Sequence, residues 1–306
     1  NVNSYTQGGG EALAVTDAGG TNVLETVTIN STSLGTTLTD LQLDGVGTTT
    51  LAVTGDASLT INTGLDNTVT TVTATDHSGG LTATLNGQNT TINTGSGADT
   101  ITLAGGDDTV NLGAGNDKLD GASNVDTSDT LEGGAGTDTI DFGANAADMT
   151  TLTAVTGFEV VEVDGAVTVT LDDENVDDAG GSITINETGA NAAVTVSAAV
   201  SAGKSVILGE AGSYTLADVA NNRVTIADEA DSDSDGLVSD ESTETVTTST
   251  TNTGSIITGS ASQDTVALQS SGTAAHNISL GGAADEITGM NTVGTDDVLE
   301  GGAGTD

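Results

Sequence analysis

Aspartate recurs at nine-residue intervals between positions 99 and 117, and glycine keeps the same time. Asp99, Asp108 and Asp117 each stand two residues after a glycine (Gly97, Gly106, Gly115) and two before an aliphatic residue (Ile101, Val110, Leu119). The hexapeptide Gly-Gly-Ala-Gly-Thr-Asp at 133–138 returns letter for letter at 301–306. A unit this short has room for one tight turn and one very short strand. Glycine lets the turn take positive φ, and the aliphatic faces inward from the strand. If two units make one turn of a parallel coil, like-facing loops lie 18 residues apart. Asp99 and Asp117 then share one side of the coil, and Asp108 lies on the other.

Carbonyl oxygens in such loops point inward, where a hard cation can sit. Ca²⁺ takes six to eight oxygens at about 2.3–2.6 Å from carboxylates and carbonyls. The candidate ligands and turn residues of the first array are Gly95, Gly97, Asp99, Gly106, Asp108, Gly113, Gly115, Asp117, Asp129, Gly134, Gly136 and Asp138. The copies are not uniform. Thr94, Leu103 and Leu112 stand in place of the first glycine, and Ala104 in place of the second glycine before Asp108. Asp117 and Asp129 are twelve residues apart, so an insertion around 123–127 breaks the phase. A second array from about Ile257 offers Asp264, Asp285, Asp297, Gly302, Gly304 and Asp306, with Val266, Ile287 and Leu299 as inward aliphatics. There Ser262 and Ala283 stand where the key glycine belongs. A flexible glycine-rich linker is the alternative, but a linker has no reason to set an aliphatic two residues after every Asp.

A different loop lies between the arrays. Asp231, Asp233 and Asp235 fall at positions 1, 3 and 5 of an EF-hand-like loop, with Gly236 at 6 and the Leu237 carbonyl at 7. Position 12 is Ser242 rather than Glu, which leaves Asp240, Glu241 or Glu244 to substitute. An acidic solvated loop is the alternative there; the run 172–178 is also acidic but lacks ordered spacing and is a weaker candidate for a metal site.

Composition constrains what such a chain can do. It has 45 acidic side chains against three basic ones, Lys118, Lys204 and Arg223, for a net charge of −42. Nucleic-acid binding needs clustered Lys and Arg and is excluded. High charge with few aromatics is the usual signature of disorder, yet 35% of the residues are apolar and alternate like strands. The two facts agree if the chain folds once its carboxylates are neutralised. The only aromatics are Tyr5, Phe142, Phe158 and Tyr214, too few for a large globular core. A solenoid avoids that need, since each repeat touches only its neighbours. Cysteine and proline are both absent. No apolar run reaches the ~18 residues of a membrane span, and no signal peptide is recognisable. The chain opens on Asn1 and stops at Asp306 before the strand that this Asp should introduce, as a fragment of a longer repetitive protein would.

Outside the arrays, short alternating runs at 23–29, 41–43, 51–53, 59–61, 69–72, 81–85 and around Ile92 recur every eight to twelve residues or so. Thr, Val and Ile favour strands, and only 144–155 suggests a helical turn. The expected fold is all-β, a parallel β-solenoid or β-roll. Asp129–Asp138 recurs with one substitution as Asp297–Asp306, so a strand ladder followed by an array occurs twice. The expected divisions are a ladder at 1–91, a calcium-binding roll at 92–143, a second ladder with the EF-hand-like loop at 144–253, and a second array at 254–306.

These nonapeptides resemble the RTX family of secreted bacterial calcium-binding proteins. Gly-Gly-Ala-Gly-Thr-Asp-Thr-Ile at 133–140, followed by Gly157-Phe-Glu-Val-Val161, is most similar to RTX-type S-layer proteins. The resemblance implies Ca²⁺ as the cofactor, export by a type I system, an extracellular or cell-surface location, and assembly with copies of itself into a lattice or filament. Cell-surface polysaccharide reached through bridging Ca²⁺ is a second candidate partner. An adhesin or biofilm-matrix protein, and an accessory roll of a secreted enzyme or toxin, remain as alternatives. No catalytic constellation stands out. His77 lies between Asp76 and Ser78, but adjacent strand residues point to opposite faces and cannot form a triad. His276 has no nucleophile pattern near it.

Overall fold

Each repeat contributes one short strand and one loop, and consecutive strands go to opposite sheets, so the chain winds into a coil. The computed structural model describes residues 11–16, 25–32, 35–44, 49–187, 193–196, 204–209, 213–216, 222–226, 244–248, 255–259, 263–268, 275–289 and 295–306. The EF-hand-like loop with Asp231, Asp233, Asp235 and Leu237 lies outside the described residues. The chain divides into two compact units, one of residues 1–141 with 154–158, the other of 142–153 with 159–306.

In the first unit, one parallel sheet stacks Glu11–Thr16, Thr36–Asp44, Leu59–Ile61, Leu81–Thr84, Thr100–Thr102, Lys118–Asp120 and Thr139–Asp141 in that order. The other stacks Thr26–Ser31, Thr49–Gly55, Val69–Thr73, Thr91–Asn93, Thr109–Asn111, Thr130–Glu132 and Val155–Thr156. Register is exact across the arrays. Ile101 pairs with Leu119 and Leu119 with Ile140 on one sheet, and Ile92 with Val110 and Val110 with Leu131 on the other. All six are at most 1% exposed. The interior is therefore two facing columns of aliphatic side chains, each contributing about 1.5–3 kcal/mol by burial.

Outward positions alternate with these. One column reads Thr26, Thr50, Thr71, Thr91, Thr109 and Thr130 along successive strands. β-branched side chains suit such a pleated face. On the opposite sheet Lys118 reaches Asp141 on the next strand at 3.0 Å.

The second unit repeats the plan. Its strands Val160–Val163, Ser182–Glu187, Ser205–Leu208, Asn222–Ile226, Ser255–Thr258, Asn277–Ser279 and Val298–Glu300 form one parallel stack. Ala147–Asp148, Thr168–Leu171, Ala193–Val196, Ser213–Leu216, Glu244–Thr248, Asp264–Ala267 and Glu286–Thr288 form the other. Inward residues again form the core, including Val161, Ile185, Val206 and Leu208 on one side and Val169, Val194 and Val266 on the other, all fully buried.

Two local readings change. The stretch 144–155 holds the strand pair Ala147–Asp148 and a 3₁₀ turn at Met149–Thr151 rather than an α-helical turn. Met149 and Leu152 are buried there at 4% and 7% exposure, and packing them needs only one tight turn. The acidic run 172–178 is instead a capped helix, Asp173–Asp178. The Asp172 side chain accepts from the amides of Glu174 (3.0 Å) and Asn175 (3.2 Å), and Asn175 Oδ1 accepts from the Asp172 amide (3.0 Å). This is a capping box. Val176 is the buried residue of the helix. Lys204 reaches back to Asp173 at 3.0 Å and Asp177 at 2.7 Å, pinning the helix from outside.

Candidate calcium centre

The repeat aspartates sit where strand and loop meet, and each reaches across to the preceding turn. On one side of the first unit, Asp99 Oδ1 accepts from the Leu81 amide at 2.6 Å. Asp117 Oδ1 accepts from the Asp99 amide at 2.7 Å, and Asp138 Oδ1 from the Asp117 amide at 2.8 Å. On the other side, Asp108 Oδ1 accepts from the Thr90 amide at 2.9 Å and Asp129 Oδ1 from the Asp108 amide at 2.8 Å. The residue separations are 18 on early turns and 21 where the extra residues between Asp117 and Asp129 enter. All five aspartates are at most 2% exposed.

The glycines explain how loops stack so closely. A Cβ on Gly113 would run into the Gly95 carbonyl oxygen, and one on Gly134 into that of Gly113. Two positions on, a Cβ on Gly115 would strike the Gly97 carbonyl, and one on Gly136 the Gly115 carbonyl. Gly115 and Gly136 both have φ of +150°, a backbone that other residues rarely adopt. Main-chain oxygens of one loop thus lie directly beneath the glycines of the next. Thr94, which departs from the glycine consensus, is buried and donates its hydroxyl to the Leu112 carbonyl of the next turn.

In Asp99 and Asp117 one carboxylate oxygen is spent on an amide. The second oxygens of Asp99 and Asp117 are buried without any hydrogen-bond partner. A buried carboxylate oxygen left this way is costly, and a cation between the loops would satisfy it. The available donors are carboxylates and carbonyls, the hard oxygen set that Ca²⁺ prefers. Among the described residues no three His, Cys, Asp or Glu side chains converge on one point. A cation here would need main-chain carbonyls of the stacked loops beside the carboxylates; those of Gly95 and Gly113 already accept from the Ala114 and Ala135 amides at 2.8 and 2.9 Å. In that role Ca²⁺ supplies the positive charge that buried carboxylates need.

The charge state agrees with the geometry. Burial, with the Asp99 and Asp138 charges behind it, pushes the Asp117 carboxyl up to about 7. Burial pushes Asp108 up to about 6, and raises Asp99 and Asp129 as well. Without a cation, these groups hold their protons to higher pH than an ordinary carboxylate does, Asp117 further than Asp108.

The second array repeats the cross-turn bonding. Asp285 Oδ1 accepts from the Asp264 amide at 3.0 Å, and Asp306 Oδ1 from the Asp285 amide at 3.3 Å. Asp285 Oδ2 is buried without a partner, and burial raises its pKa. Asp297 Oδ1 accepts from the His276 amide at 2.6 Å, so His276 occupies the place of an aspartate on that side. Burial lowers the His276 pKa. Gly302 and Gly304 lie against the carbonyls of Leu280, Gly281 and Ala283 of the preceding loop. Ala283, in place of the key glycine, is forced to a positive φ of 65°.

Two buried polar groups escaped the reading by motif. His77, 1% exposed, stands one turn before Gly95, and neither ring nitrogen has a hydrogen-bond partner. Glu187 ends an inward-facing series after Ile183 and Ile185 and is 2% exposed, with both carboxylate oxygens unpartnered. The alternation of Ser182–Glu187 was the available signal for it.

The comparison with protein families found the RTX calcium-binding nonapeptide repeat at residues 86–122 and 125–146. No curated protein and no solved structure matched the chain. The matched residues are those whose aspartates climb from turn to turn: the chain carries RTX calcium-binding nonapeptide repeats.

Proposed function

We propose that this chain is a structural, calcium-dependent protein of the bacterial cell surface, an S-layer or surface-filament subunit, whose folding and self-assembly Ca²⁺ drives. The observation that carries the reading is the pair of buried, unpartnered carboxylate oxygens on successive turns, Asp99 and Asp117. A chain of net charge −42 gains a compact interior only when such groups are neutralised. Extracellular sites bind calcium at about 10⁻⁴–10⁻³ M, so a calcium-rich exterior fills them while the cytosol leaves them empty. Filling one site at tenfold over its Kd adds about 1.4 kcal/mol. Several such sites amount to the stability of an ordinary domain. The role is architectural, with no substrate turned over. Like chains are the natural partners, and surfaces this acidic approach each other through bridging cations.

Circular dichroism, sedimentation velocity and electron microscopy of the purified chain test the proposal, in excess EDTA and in millimolar Ca²⁺. Calcium should bring β-structure first and ordered assemblies second. A β-rich, equally stable monomer in EDTA would refute the folding role. A calcium-folded chain that stays monomeric and binds a glycan surface would point to an adhesin instead.

A further inference from the structure

The two sides of the first unit are not equivalent. On one side, loops 94–99, 112–117 and 133–138 stack directly, each with the Gly-x-Gly-x-Asp pattern. Each glycine pair there lies against carbonyls of the loop before it. Asp99 and Asp117 both keep a buried oxygen with no partner. On the other side, loop 103–108 has the pattern only in part, and its neighbours 85–90 and 121–129 lack it. There Asp129 spends both oxygens on amides, Oδ1 on Asp108 at 2.8 Å and Oδ2 on Asp126 of its own loop at 2.9 Å. That second bond belongs to the inserted residues, which also hold Ser128 against Asp126 at 2.7 Å. Asp107 is paired with Asn89 through two hydrogen bonds, at 3.0 and 3.2 Å. Among the described residues no aspartate oxygen of this side is buried without a partner.

We infer that tight calcium binding in this unit is confined to one side of the roll. The sites lie where the loops of Asp99 and Asp117 stack on the turns before them, at the buried unpartnered oxygens of those two residues. The insertion before Asp129 turns that carboxylate onto its own loop and leaves the opposite side without a tight site. The inference rests on the calcium reading above and says where within the unit the ions go.

Equilibrium dialysis of the full chain with ⁴⁵Ca²⁺ at neutral pH decides it, with circular dichroism at high calcium as the folding control. Asp99→Asn and Asp117→Asn should each lower the number of tightly bound ions. Asp108→Asn and Asp129→Asn should leave the number unchanged. The amide oxygen of Asn can still accept the cross-turn hydrogen bond, so that contact survives the substitution. If Asp117→Asn nevertheless lacks β-structure, the Asp99→Asn and Asp129→Asn pair carries the comparison. Loss of a tight ion in Asp108→Asn or Asp129→Asn overturns the one-sided arrangement while leaving calcium binding intact. Absence of tight binding in the unaltered chain overturns both readings.

Discussion

In the absence of calcium, acid should stabilise this fold, and Asp117 should account for much of the effect. Burial lifts its carboxyl from 3.8 to about 7, and each pKa unit is worth about 1.4 kcal/mol. Keeping Asp117 ionised in the folded chain therefore costs on the order of 4 kcal/mol above pH 7. A carboxyl with a raised folded pKa binds its proton more tightly in the folded state. Stability must then rise as pH falls from about 7 towards 3.8, and is lost again as pH climbs through the folded value. Asp108, lifted to about 6, adds about 3 kcal/mol of the same sign. General relief of the net charge acts in the same direction, so Asp117→Asn is the control that isolates the site. Thermal and urea melts in EDTA at pH 5, 6, 7 and 8 are the assay. Asp117→Asn should be more stable than the parent at pH 8 by up to ~4 kcal/mol and should show a shallower pH slope. In saturating Ca²⁺ the order should reverse, because the carboxylate is then matched by the metal. A parent chain equally stable in EDTA at pH 5 and pH 8, or an Asp117→Asn variant that gains nothing without calcium, would refute the reasoning.

Gly136→Ala should destabilise the calcium-loaded fold by at least ~3 kcal/mol, because a Cβ meets the Gly115 carbonyl at a φ of +150°. A melting temperature unchanged in millimolar Ca²⁺ would contradict the stacking. Ala283→Gly should do the opposite, raising stability by up to ~1 kcal/mol through release of an alanine held at φ 65°; the urea midpoint in calcium reads it. Leu119→Ala removes a fully buried rung of the interior column and should cost about 2–5 kcal/mol, measured by the same denaturation.

Much of the fold was legible because its physics is local. The inward aliphatic after each Asp is a direct consequence of two-residue alternation, and Ile101, Val110, Leu119, Leu131 and Ile140 all lie in the core. The eighteen-residue return placed Asp99 and Asp117 on one side and Asp108 on the other. What the sequence did not disclose depends on which partner a polar atom finds. Nothing in the spelling of Asp129 says that its second oxygen turns to Asp126. The helix at Asp173–Asp178 was hidden because its acidic residues mask a capping box whose signal is only Asp172 and Asn175. In 144–155, apolar residues at helical spacing proved compatible with a bridge and a tight turn, because Met149 and Leu152 each bury without a continuous helix face.

The cross-turn hydrogen bonds of the buried repeat aspartates run one way: the carboxylate belongs to the later turn and the amide to the earlier one. The stack therefore has a polarity. A turn joining at its carboxyl-terminal end arrives with its own buried latch, whereas one joining at the other end offers its amide to an aspartate already in place. Growth from the two ends is consequently unequal, and a nucleus made of the later loops is the one that can recruit, rather than merely await, its neighbour.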